Sequence, residues 1–204
     1  MIRIRTDIRG FTLLELLLSI LMLTIILGAI YSTFFLSHKA VDGINDSLLR
    51  LQESRMMLDV LAREVESSVY DGSRQKSVLK IEDRDIYGKQ ASRFAFTTLS
   101  LLRPGMSLLQ YNVEEHDGKL VLYKTLLDPY RNYTETEAPK PVALLEDIDS
   151  FTVECKNGTD WVKTWDTAET KKAPDEIRIT LAFKVRDKPI TLYETMKPKI
   201  GKPL

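Results

Sequence analysis

Cysteine is all but missing from this chain of 204 residues, histidine is scarce, and neither sign of charge prevails. Cys155 stands alone, which excludes an intramolecular disulfide, a CxxC redox pair and a zinc knuckle. It lies in the alternating stretch Phe151, Val153, Cys155, where a small buried hydrophobe is expected. His38 and His116 are the two histidines, so a catalytic triad would need His116 to meet Cys155 or a serine by chance. P-loop, dinucleotide-binding glycine, HExxH and EF-hand patterns are absent. No catalytic residue, cofactor or metal is therefore expected, and the chain does not read as an enzyme. Lys plus Arg and Asp plus Glu both number 29, so no global field favours nucleic acid. The acidic runs at 82–85 and 146–149 read as solvated strand ends rather than cation sites.

Charge is absent where its absence says most. From Phe11 to Leu36 there are 26 residues, and Glu15 alone among them is charged. A helix of that length spans about 39 Å at 1.5 Å per residue, enough to cross a hydrocarbon core. It is apolar all round, which suits lipid better than the single stripe of a soluble helix. A cleaved secretory signal usually has a shorter apolar core, ending in a small-residue site. Arg3, Arg5 and Arg9 precede the tract and no such cluster follows, so residues 1–10 are expected in the cytoplasm and the chain beyond about Ser37 outside.

Glu15 is costly in that setting, by about 2.5–3.5 kcal/mol on insertion scales, and such groups usually have a partner or a function. The one junction resembling a processing site is Arg9-Gly10-Phe11-Thr12, before the apolar run. Cleavage after Gly10 would give Phe11 a free amine four positions before Glu15, and a neighbouring subunit's amine could then neutralise the carboxylate and fix axial register. The competing reading is a carboxyl protonated or hydrated at the membrane boundary.

Gly10-Phe11-Thr12-Leu13-Leu14-Glu15, after a short basic leader, resembles the prepilin processing signature of type IV pilins and type II secretion pseudopilins. The resemblance implies cleavage after Gly10 by prepilin peptidase, N-methylation of Phe11, and a role for Glu15 in subunit assembly. One departure is the apolar helix without proline: Ser32 stands at the comparable place, and the first proline is Pro104.

Beyond a polar stretch around Gly43, where the helix is expected to loosen, Ile44, Leu48, Leu51, Leu58, Ala62, Val65 and Val69 recur at three- and four-residue spacings. Met57 and Leu61 widen that face, Arg55 interrupts it, and Arg50, Glu53, Arg63 and Glu66 lie mostly away from it. The stripe packs either on the chain's own domain or on a partner helix. After Tyr70-Asp71-Gly72-Ser73 the period changes to two, which marks a domain boundary. Strands are expected at 78–87, 93–99, 108–115, 120–126, 141–145, 150–156, 160–164, 176–186 and 190–196. Asp117-Gly118, Asn157-Gly158 and Asp187-Lys188-Pro189 are the expected hairpin turns, and 127–140 and 167–174 the expected loops. The expected fold is α+β: a long N-terminal helix on an antiparallel, two-sheet β-rich domain. Its divisions are a leader at 1–10, a transmembrane helix at 11–37, an exposed amphipathic helix at 38–70 and a periplasmic β domain at 71–204.

The order Leu144-Leu145-Glu146-Asp147-Ile148-Asp149-Ser150-Phe151, then Trp161, Trp165-Asp166 and Pro174 to Ile179, is similar to the minor pseudopilin J family of type II secretion systems. That resemblance implies a structural subunit of the pseudopilus, in a tip complex with I- and K-like minor pseudopilins. It also implies the major pseudopilin, the prepilin peptidase and an inner-membrane assembly platform as partners, and no nucleic acid. Trp161 and Trp165 are either core aromatics or contacts to a neighbouring subunit. Two rivals stay open: a minor pilin of a type IV or competence pilus, and a signal-anchored periplasmic enzyme or binding protein.

Overall fold

A computed structural model describes residues 11–70, 77–99, 105–134 and 137–198, with the side chains of 42–46 outside the description. The expected leader at 1–10 and most of the Tyr70 to Ser73 boundary also fall outside it. The chain divides into two compact units, one up to Leu48 and one from Leu49 onward.

Helix α1, Leu13–Glu66, runs through both units without a break in the assigned helix, so the expected loosening near Gly43 does not interrupt the backbone. Leu, Met, Glu and Arg dominate its second part, and their low cost in a helix favours that continuity. In the second unit the buried face is Ser54, Met57, Leu58, Leu61, Val65 and Ser68. The core alternative therefore holds for this part of the stripe. Leu51 and Ala62 lie on its margin, and the Ser54 hydroxyl is satisfied by the Arg50 carbonyl at 2.9 Å.

The strands are β1 (Leu79–Glu82), β2 (Asp85–Ile86), β3 (Lys89–Gln90), β4 (Arg93–Leu99), β5 (Met106–His116), β6 (Lys119–Leu127), β7 (Val142–Asn157), β8 (Asp160–Val162), β9 (Trp165–Asp166), β10 (Ile177–Val185) and β11 (Lys188–Met196). A one-turn helix, α2, covers Thr167–Thr170. Among the described residues, β2 and β3 form a separate ribbon, and the rest form one sheet ordered β11-β10-β7-β6-β5-β4-β1-β9, with β8 beside β7. Among the described residues every pairing between these strands is antiparallel, which the alternation of burial along β5 and β10 fits. Phe94, Phe96, Tyr111, Phe151, Ile179 and Phe183 fill the core with Leu61 and Val65 of the helix.

Local chemistry explains where the expected strands shift. Residues 141–145 and 150–156 belong to one long strand, β7, which bulges at Asp147, held at φ 55°. The expected 78–87 strand breaks at Asp83-Arg84, and Tyr87-Gly88 turns back into β3 with φ 54° and 79°. Asp117-Gly118 makes the expected tight turn. The last hairpin turns at Arg186-Asp187, both at positive φ, which frees Lys188 and Pro189 to begin β11.

Candidate assembly site

The candidate assembly site begins at Thr12. Its carbonyl accepts from the Glu15 and Leu16 amides at 3.1 and 3.2 Å, and its hydroxyl accepts from the Glu15 amide at 3.3 Å. Thr12 thereby caps α1, and Glu15 falls at the third helical position, in the spacing of a capping box and beside the positive end of the helix dipole. Gly10 lies outside the described residues; Phe11 is 78% exposed and Glu15 is exposed.

From Leu13 to Val41 the helix is long and apolar enough to cross a membrane, and none of that span is buried. Three of its hydroxyls are closed on the helix itself. Ser19, Thr24 and Thr33 donate to the carbonyls of Glu15, Ile20 and Ala29 at 2.7–2.9 Å, which removes their polarity from any lipid or helix neighbour. Glu15 is the one acid in that span, and Lys39 lies near its far end.

In the second unit, helix and sheet are tied by polar groups that the periodicity does not announce. Arg50 is not a solvated residue: it donates to the Glu146 and Asp147 carbonyls at 3.0 and 2.7 Å, and its guanidinium lies 5.7 Å from the Phe183 ring centroid. It thus occupies the bulge of β7 where β10 ceases to pair. Glu64 takes a hydrogen bond from Tyr111 and an ion pair from Lys124. Burial, then the Glu64 charge, raises the Tyr111 hydroxyl above its ordinary pKa. In sequence, only the helical spacing of Arg50 and Glu64 near the buried stripe hinted at these contacts.

The two tryptophans separate. Trp165 is buried in β9 against β1, and its indole N–H donates to the Lys172 carbonyl at 3.1 Å, so the core alternative holds for it. The expected 167–174 loop contains α2, whose N-cap Asp166 accepts from the Ala168 amide at 2.7 Å. Trp161 is half-buried, with the Arg178 guanidinium 4.3 Å from its ring centroid and that arginine paired to Glu154 at 2.7 Å. Cys155 is buried and His116 exposed, so the two are not brought together. Among the described residues, no group of three or more His, Cys, Asp or Glu could hold a metal ion.

An apolar, unburied helix with one acid near its start, leading into an antiparallel β domain, is the organisation of a membrane-anchored pilin-class subunit. Residues 5–31 match the prokaryotic N-terminal methylation motif. Residues 33–194 match the type II secretion system protein J model, and the chain belongs to that family. It is a minor pseudopilin of the type II secretion machinery. Among solved structures it is similar to the type IV-like pilin TTHA1219 from Thermus thermophilus, at 14% identity and a TM-score of 0.47, over 74% of this chain and 98% of that one. No curated protein matches the chain.

Proposed function

We propose that this subunit is made with a cytoplasmic leader, cleaved after Gly10 by prepilin peptidase and N-methylated on Phe11. It then waits in the bacterial inner membrane as a single-pass protein, N-terminus inside and β domain in the periplasm. The assembly platform lifts it into the pseudopilus, where I- and K-like minor pseudopilins and the major pseudopilin are its neighbours. Its place is at the tip, where the complex initiates the filament that drives export. The observation that carries this reading is the span Leu13–Val41, wholly unburied and with Glu15 as its one acid. Such a surface needs lipid before assembly and other helices after it, because either keeps it from water.

Glu15 has two tasks in this scheme. In the membrane it sits at the helix N-terminus, where the backbone amides favour negative charge. In the filament it meets the α-amine of a neighbouring subunit, and the pairing sets register. Trp161 on the β domain contacts an adjoining subunit. The role is structural and not enzymatic, and nucleic acid has no part in it.

Deleting the chain and scoring both export and pilus-dependent traits tests the reading. Loss of type II export, restored by the full chain and not by one lacking residues 11–41, is expected. Intact export with lost twitching or transformation would instead assign the subunit to a pilus.

A further inference from the structure

Strands β4, β5 and β6 turn Phe94, Leu109, Tyr111 and Leu122 into the core beside α1. By alternation Arg93, Gln110, Asn112, Tyr123 and Thr125 stand on the opposite face of the sheet. The register sets Gln110 against Thr125 and Asn112 against Tyr123, two cross-strand pairs side by side. Bounded by Arg93 at one side and Pro141 at the other, they line a cleft of about 280 Å³.

Part of this cleft is already committed to its own hydrogen bonds. Arg84 donates to Asn112 Oδ1 at 2.8 Å, and Asn112 Nδ2 donates to Glu114 Oε1 at 2.7 Å, which fixes the orientation of the asparagine amide. Arg93 is answered by Glu82 at 3.5 Å. The rest is uncommitted. The Gln110 amide and the Tyr123 and Thr125 hydroxyls have no hydrogen bond among the described residues, although all three residues are half-buried.

The chemistry of these groups selects among ligands. Amides and hydroxyls both donate and accept, whereas a phosphate calls for donors and a metal ion for acceptors. Arg84 and Arg93 are matched in charge by Glu82 and Glu114, so no local field favours an anion. The strands here are interior to the sheet and paired on both sides, which leaves no backbone edge for an extended peptide. The larger apolar surfaces are the Tyr123 ring and Pro141, too little for an acyl chain and enough for the C–H face of one ring. The volume is just below the roughly 300–1,000 Å³ of drug-sized sites.

We propose that this cleft is a saccharide site that takes one uncharged sugar ring of a glycan. The Gln110 amide and Thr125 hydroxyl exchange hydrogen bonds with vicinal ring hydroxyls, Glu114 accepts from a further hydroxyl, and Tyr123 covers the C–H face. A polyol leaves none of these groups orphaned when it displaces their water, which an apolar ligand of the same size would do.

The test uses the full chain in phospholipid nanodiscs, which contribute no sugar, titrated with the disaccharide of N-acetylglucosamine and with maltose. Saturation transfer to the ring protons, read by NMR against empty nanodiscs, is expected to saturate for at least one of them. Gln110→Met, which keeps the bulk and removes the amide, should weaken binding by roughly fivefold or more. Thr125→Val should weaken it in the same direction, and Thr191→Val, outside the cleft, should leave it unchanged; thermal melts confirm that each variant is folded. A folded chain that binds neither sugar overturns the proposal. So does binding that survives Gln110→Met and Thr125→Val together, or a cleft that takes inorganic phosphate or trialanine in preference to both sugars. A chain that binds neither sugar yet restores export refutes this site and leaves the proposed secretion role standing; one that binds sugar and does not restore export does the reverse.

Discussion

Lys124 of β6 and Glu64 of α1 form an ion pair across sixty positions of sequence, with side chains only 15% and 23% exposed. Tyr111 of β5 donates to the same carboxylate. The helix is thus joined to two adjacent strands through one acid, at the end of a stripe otherwise held by Leu61 and Val65.

Replacing Glu64 by Gln leaves the Lys124 ammonium without its counter-charge. A loss of roughly 2 kcal/mol is expected, reduced from a deeply buried pair because both groups touch water. In thermal unfolding of the detergent-solubilised chain that is a fall of roughly 4–8 °C. Adding Lys124→Met should recover most of it, since two apolar partners need no compensation.

Arg50 makes a second, independent tie. Arg50→Met keeps the bulk and the Phe183 contact but orphans the Glu146 and Asp147 carbonyls. Glu146 and Asp147 are exposed, so water takes up part of the loss and a cost of about 1 kcal/mol is expected. Arg50→Lys should recover less than half, because an ammonium has no fork to span both carbonyls. Amide exchange should rise around Glu146 to Ile148 and stay unchanged in β5.

Burial pushes the Cys155 thiol up to about 12 from an ordinary value of 9.0. Tyr111 is raised as well, first by burial and then by Glu64. Both groups hold their protons more tightly in the folded chain, so their contribution is complete below the unfolded pKa values and is lost as pH rises beyond them. Stability should be flat up to about pH 9 and fall above it, with Tyr111→Phe softening the decline above about pH 10. Thiol reagents at pH 8 should leave Cys155 unmodified until the protein is denatured.

Much of this organisation was legible in the sequence because it rests on short-range chemistry. Asp117-Gly118 states its own turn, and Ile177 to Val185 declares a half-buried strand by alternation. What escaped depends on distant partners. Asp147 adopts positive φ without glycine because Arg50 receives the carbonyls that its bulge releases, and that arginine lies 97 positions away. Arg186-Asp187 turns without glycine, so Pro189 looked like the turn residue when it is the start of an edge strand. Thr167 looked like loop because its burial depends on the Leu79 amide, which it accepts at 2.9 Å.

At the candidate assembly site the Thr12 hydroxyl accepts from the Glu15 amide, and Glu15 stands at the position from which a capping-box acid serves its own helix. Glu15→Gln separates that local task from a contact between subunits. The variant should remain in the membrane fraction and keep its fold, with export reduced at least tenfold. Undiminished export would mean that Glu15 only caps its own helix.

The most direct measurement is the intact mass and N-terminal peptide of the chain extracted from membranes of the native host. The account predicts that Phe11 is the first residue and carries one added methyl group, in a strain whose prepilin peptidase is active. A chain that supports export while retaining residues 1–10 would contradict it.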